Sequence, residues 1–181
     1  MSIGMKTATV AALVLFFGAT AFASNVHLKP PNSKPSFTDL GLQLRATGAL
    51  AGLGNEDLVI NLSATADVTS TCTNPAGANQ PSGQNPAPIT VSGSQAIPAG
   101  EIKNGAVSFR VTTQLPTTPI AGAPDCPNAN WTEDITDLAF TTATITVEQP
   151  APTVVLTVLC TFAPATKNGP VPTGNVSCTV Q

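Results

Sequence analysis

Leu58-Val59-Ile60-Asn61-Leu62-Ser63-Ala64-Thr65-Ala66-Asp67-Val68-Thr69-Ser70-Thr71-Cys72 alternates almost without a break. Leu58, Ile60, Leu62, Ala64, Ala66, Val68 and Cys72 fall on one side of an extended chain, and Asn61, Ser63, Thr65, Asp67, Thr69 and Thr71 on the other. Side chains of a strand point to opposite faces in turn, so this period of two describes a β-strand with one buried and one wet face. The same rhythm precedes it: Leu40, Leu42, Leu44, Ala46 and Leu50 oppose Asp39, Gln43, Arg45 and Thr47. Between the two runs, Gly52-Leu53-Gly54-Asn55-Glu56-Asp57 supplies turn residues and predicts an antiparallel pair.

Outward from that pair the pattern repeats in shorter pieces. Ile89, Val91 and Ile97 predict a third strand and Val107, Phe109 and Val111 a fourth, with Pro98-Ala99-Gly100 and Asn104-Gly105 as turns. Residues 73–87 and 116–130 carry no period and read as loops. After Trp131, the row Ile135, Leu138, Phe140 changes face before Ala143, Ile145, Val147, which predicts a β-bulge in preference to a bend between two strands. Val154, Leu156, Val158, Cys160 and Phe162 form another inward row, and Val176, Cys178 and Val180 a last one. Seven or eight short strands with Gly/Pro-rich turns and no helical period predict an all-β Greek-key sandwich of immunoglobulin-like type, with a jelly roll second.

The first residues read as an export signal: Lys6, an apolar run from Ala8 to Phe17, then Ala21-Phe22-Ala23, with cleavage expected before Ser24. The run is shorter than the roughly 20 residues a membrane-spanning helix needs, so no membrane insertion is expected after cleavage. Residues 1–23 are then the signal peptide, 24–37 a flexible leader holding Pro30, Pro31, Pro35 and the single histidine His27, and 38–181 the sandwich domain. The expected location is secreted or cell surface. Cys72, Cys126, Cys160 and Cys178 make an even count with no C-x-x-C pair, which in an exported chain reads as two disulfides. Of the three connectivities, Cys72–Cys126 with Cys160–Cys178 is preferred, because the first two flank comparable loops and the second two face inward on the last two strands. Cys72–Cys160, bridging the sheets, is the alternative.

Composition narrows the function classes. Only 9% of residues are charged, the net charge is −3, and Lys29, Lys34, Arg45, Lys103, Arg110 and Lys167 are scattered, so no nucleic-acid partner is expected. A Ser or Cys nucleophile needs a base beside it, and His27 in a leader has nothing to orient it, so no catalytic residue is assigned. Glu133, Asp134 and Asp137 could be imagined as glycosidase carboxylates, or with Asp125 as calcium ligands. They lack both an aromatic sugar platform and a D-x-D-x-D-G loop, so no metal and no cofactor is expected. Trp131, the one tryptophan, is expected to pack over a disulfide and not to face a ligand. Sequons at Asn61, Asn130 and Asn175 occur at the rate that a Ser/Thr-rich chain produces by chance.

Gly52-Leu53-Gly54-Asn55, Cys72-Thr73-Asn74-Pro75, Cys126-Pro127-Asn128-Ala129-Asn130-Trp131, Ile135-Thr136-Asp137 and Cys160-Thr161-Phe162 together resemble a group of small exported microbial β proteins with no assigned activity. The resemblance implies an exported β domain and carries no catalytic motif. Two function classes follow: an exported structural or interaction module whose partner is a protein or a surface glycan, and, alternatively, a carbohydrate-binding module with exposed aromatic rings. No enzyme activity is expected.

Overall fold

The computed structural model describes residues 25–30, 34–83 and 86–181; the segment read as a signal peptide, residues 1–23, lies outside them. The strands are β1 (His27–Leu28), β2 (Ser36–Asp39), β3 (Leu44–Ala51), β4 (Leu58–Thr73), β5 (Asn79–Pro81), β6 (Ile89–Ile97), β7 (Ala106–Thr112), β8 (Thr132–Glu148), β9 (Val154–Phe162), β10 (Gly169–Pro170) and β11 (Val176–Val180). Two 3-10 turns, Ala99–Glu101 and Thr173–Asn175, are the only helical pieces among the described residues.

All pairings are antiparallel, in two sheets. In the five-stranded sheet β3 has β7 along one edge, β2 and β1 end to end along the other, and β10 outside β2. The six-stranded sheet runs β11-β9-β8-β4, with β6 and β5 end to end beyond β4. The inner rows meet in one core, from Leu44, Ala46 and Leu50 of β3 to Ile60, Leu62 and Ala66 of β4 and Leu138, Phe140 and Ile145 of β8. Phe37 and Phe162 meet edge to face at 5.0 Å across the sandwich.

Three expectations need correction. The runs at 40–50 and 58–72 do not pair with each other: β3 and β4 lie in different sheets, joined by Gly52–Asp57. Alternation identifies the buried face of a strand but not its neighbour, and six connecting residues span the roughly 10 Å between sheets as readily as the roughly 4.8 Å between strands. Second, Leu40 is exposed and Asp39 buried, because a turn intervenes: the Leu40 N–H bonds the Gln43 carbonyl at 2.9 Å, with Gly41 at φ +87°. Third, the described part of residues 24–37 is packed and not a free leader. His27 and Leu28 pair with Ala51 and Leu50, and Val26, Leu28 and Phe37 belong to the core, so the domain begins before residue 38. Gly52 at φ +78° is what lets Asn25 approach, since a Cβ there would sit 2.0 Å from the Asn25 carbonyl oxygen.

The bulge expectation is met. β8 is one continuous strand whose register against β4 slips between Thr65 and Ala66 and again between Thr69 and Ser70. At the opposite edge β6 leans onto β7 and brings the sheets together. The Gln114 N–H bonds the Ser92 carbonyl at 2.9 Å, the Arg110 N–H bonds Gln95 Oε1 at 2.8 Å, and a Cβ on Gly93 would lie 2.0 Å from the Thr112 carbonyl oxygen.

That contact is with backbone, which cannot rotate away. Gly93→Ala is expected to cost about 1–3 kcal/mol of stability, whereas Gly100→Ala, with no atom within 4 Å of its Cβ, stays within about 0.5 kcal/mol of the parent. Urea unfolding midpoints of the two variants check this.

Candidate functional site

The strands of the two sheets differ in length. β4 and β8 have sixteen and seventeen residues, β3 and β7 eight and seven. The Leu138 N–H bonds the carbonyl of Gly41 in the β2–β3 turn at 3.0 Å, which marks where the smaller sheet stops. Thr69–Thr73 and Thr132–Asp137 run on past it, by about 15 Å at roughly 3.3 Å per residue. Among the described residues no strand of the smaller sheet lies opposite their inner face, and the chain between β7 and β8 is fastened there.

That covering segment is fastened at several points. Ile120 bridges Glu133, its N–H 2.7 Å from the Glu133 carbonyl, and Cys126 is bonded to Cys72 with Cα atoms 5.7 Å apart. Glu133 is fully buried: Oε1 accepts from Ser70 Oγ at 2.7 Å and Oε2 from the Asp125 N–H at 3.3 Å. Thr118 Oγ1 accepts from the Ile135 N–H at 3.1 Å and donates to Asp134 Oδ1 at 3.2 Å. Side chains of neighbouring strand residues point to opposite faces, so Glu133 and Asp134 serve the loop from two sides.

Between this segment and residues 86–91 lies a groove of about 500 Å³. Val68, Val91 and Ile135 line it from the sheet, and Pro86, Pro119 and Ile120 from the loops, with Asp125 its only ionisable residue. The sequence showed residues 116–125 and Pro86 only within unpatterned loops, and Ile89 and Val91 as part of a strand. The available signal was local: prolines and Ile120 concentrated in a stretch otherwise rich in Thr, Ala, Gly and Asn.

The residues weighed for chemistry do not converge. Asp137 lies at the other side of β8, 3.8 Å from where a Cβ on Gly41 would be, far from the Glu133 network in role and surroundings. No group of three or more His, Cys, Asp or Glu side chains that could hold a metal occurs among the described residues. His27 is exposed on β1, its Nδ1 2.8 Å from the Asn25 carbonyl. Trp131 is half-buried and outside the core cluster, so it neither fills the core as expected nor stands free as a platform. The second disulfide joins Cys160 and Cys178 directly across β9 and β11, with Cα atoms 4.1 Å apart, so the connectivity is the one preferred over Cys72–Cys160.

The remaining buried polar side chains hold backbone. Gln149 clamps the β3–β4 connection, accepting from the Gly54 N–H at 2.8 Å and donating to the Gly54 and Glu56 carbonyls at 3.2 and 2.7 Å. Asp39 accepts from Thr166 Oγ1 and from the Gly41 N–H at 2.8 Å, while Thr166 Oγ1 also accepts from the Phe140 N–H at 2.8 Å. Burial pushes the Asp39 carboxyl above its ordinary 3.8, outweighing the pull of the Thr166 and Gly41 bonds, and Asp137 adds to the rise.

No family model, curated protein or solved structure matches the chain.

Asp39 holds its proton more tightly in the folded chain than in the unfolded one. The stability this contributes is full below pH 3.8 and is lost as pH rises through the raised value. In Asp39→Asn that dependence is absent, so the parent's stability relative to the variant should decline as pH rises above 3.8 and through the raised value, read from urea midpoints across the range.

Proposed function

We propose that the chain is an exported interaction module that engages a partner protein through the groove at the disulfide end. The observation that carries this reading is the groove itself, an aliphatic and proline-walled cleft held open by a disulfide and a buried carboxylate. Apolar clefts with few polar groups are where proteins most often take ligands. An uncharged segment presenting an aliphatic side chain suits these walls. A sugar suits them less, since Phe37, Phe109, Phe140 and Phe162 are buried and Trp131 is half-buried, which leaves little ring surface for stacking. No catalytic role is proposed for any side chain.

Export rests on the signal-like first residues and on two disulfides, which belong to oxidising compartments. No helix among the described residues is long and apolar enough to cross a membrane. The resemblance to small exported microbial β proteins agrees with that reading. The finer architecture we propose is an immunoglobulin-like Greek key. It is supported by the order β2-β3-β7 in one sheet against β6-β4-β8-β9 in the other, in which β7, next after β6 in the chain, crosses to the other sheet to pair with β3.

Affinity capture from the native cell surface and medium tests the proposal. Ile120→Glu places a charge in the groove and should lower partner recovery by about tenfold or more, equivalent to about 1.4 kcal/mol, with the thermal midpoint little changed. Thr144→Lys, on the outer face of the large sheet, should leave recovery as in the parent. Equal recovery with Ile120→Glu rejects the groove, and recovery of a glycan in place of a protein favours the carbohydrate reading.

A further inference from the structure

The sheet edges are not treated alike. β6 is closed against β7 by the contacts around Gly93. The far edge of the smaller sheet is covered by β10, two residues long and containing Pro170, and β1 is also two residues long, with Pro30 close behind it. β5 is three residues long and ends in Pro81. Short strands and prolines are the usual means by which a protein stops another strand from adding to its sheet. β11 has neither: Val176-Ser177-Cys178-Thr179-Val180 is five residues long, uncharged and proline-free.

Among the described residues no strand pairs with its outer edge, and its outward hydrogen-bonding groups can be assigned. Gln181 and Thr157 exchange both backbone bonds, at 2.9 and 3.2 Å, and the Ala163 N–H bonds the Asn175 carbonyl at 2.9 Å. Bonded and non-bonded pairs alternate along an antiparallel ladder, so Ser177 and Thr179 also face β9, and the N–H and C=O groups of Val176, Cys178 and Val180 point outward. Two observations agree. The 4.1 Å Cα separation of Cys160 and Cys178 is that of a non-bonded pair, and the Val176 carbonyl is reached from outside the sheet by Lys34 Nζ at 3.3 Å.

We infer that β11 is a self-recognition edge through which two copies of the chain join antiparallel about a two-fold axis at Cys178, merging their six-stranded sheets into one. In that register Cys178 faces the partner's Cys178, Val176 faces the partner's Val180, and Ser177 faces the partner's Thr179. These are the pairs whose backbone groups and side chains match. Cys178 exchanges both bonds with the partner's Cys178, Val176 and Val180 exchange theirs once the Lys34 ammonium gives up the Val176 carbonyl, apolar side chains meet on the inner face, and hydroxyls meet on the outer face. Val180, 53% exposed in the single chain, is covered by the partner's Val176. A two-fold axis sets like beside like, which would oppose any charged strand and does not oppose this one. The Cys160–Cys178 bond holds the edge in its sheet register in advance of pairing. This surface is separate from the groove, and the inference stands whether or not the groove takes a partner.

Sedimentation equilibrium of the oxidised protein tests it, with loading varied up to about millimolar to reach a weak association. The parent should show a monomer–dimer equilibrium. Val180→Pro removes an outward N–H without touching the β9 ladder and should weaken the dimer by about tenfold or more. Ser177→Lys with Thr179→Lys opposes like charges and should be monomeric, whereas Ser177→Lys with Thr179→Glu opposes unlike charges and should restore the dimer. Circular dichroism of each variant should match the parent. A parent monomeric throughout, a dimer indifferent to all three variants, or a monomer that instead takes up an unrelated β-strand peptide at this edge would overturn the inference.

Discussion

The rest of the molecule depends on the pairing of β4 with β8 along almost their whole length. Leu62 lies opposite Ile145, Ala64 opposite Ala143, Ala66 opposite Phe140 and Val68 opposite Leu138, so the two strands present one continuous apolar surface to the smaller sheet. Burying that surface is the main driving force available to a chain with so few charges. The ladder is longer than the sheet that covers it, and the consequence is chemical as well as geometric. Past Val68 and Leu138 the inward positions include Ser70, Cys72 and Glu133: Ser70 holds the Glu133 carboxylate, which with the Cys72 sulfur binds the covering loop where aliphatic groups would have found no opposing sheet. The groove is therefore a product of strand-length mismatch, roofed by a loop that polar and covalent contacts hold in place.

Buried polar groups in this fold act as fasteners for connections that cannot join a ladder. Gln149 satisfies three backbone atoms of the β3–β4 crossover, and Thr166 bonds Asp39, Phe140 and thereby two sheets at once. An unpaired amide or hydroxyl in these places would cost about 1–3 kcal/mol, and no buried side-chain nitrogen or oxygen among the described residues is without a partner. Their geometry specifies where each crossover enters and leaves, which hydrophobic burial alone does not specify.

Much of the core was legible because the information is local. Leu58 to Cys72 show their buried face through spacing alone, and so do Leu156, Val158, Cys160 and Phe162. What was not legible is what depends on distant residues. β3 and β4 have compatible alternation, yet their neighbours are chosen by core packing across the whole domain. Asp39 reads as a wet residue, and its burial is made tolerable by Thr166, 127 positions away. Val26 and Leu28 alternate, but with Phe37 well beyond them these residues are too few, and too broken by proline, to register as strands. The groove was invisible for the same reason: its loop walls have no period, and only the overhang of β4 and β8 brings them together.

The disulfides occupy the two places where burial runs out. Cys72–Cys126 fixes the loop over the overhang, where no second sheet supplies apolar contacts, and Cys160–Cys178 fixes β11 at an edge the smaller sheet does not reach, as the exposure of Val180 shows. Each restricts the unfolded chain by an amount of about 2 to 4 kcal/mol. In the centre of the sandwich such bonds would add to contacts already sufficient, whereas at its end and edge they hold segments that have few other contacts to hold them. Both surfaces singled out for recognition, the groove and β11, lie beside one of these bonds. A binding surface must stay exposed and so cannot be stabilised by burying itself. Covalent cross-links let such segments keep one conformation while remaining open to a partner.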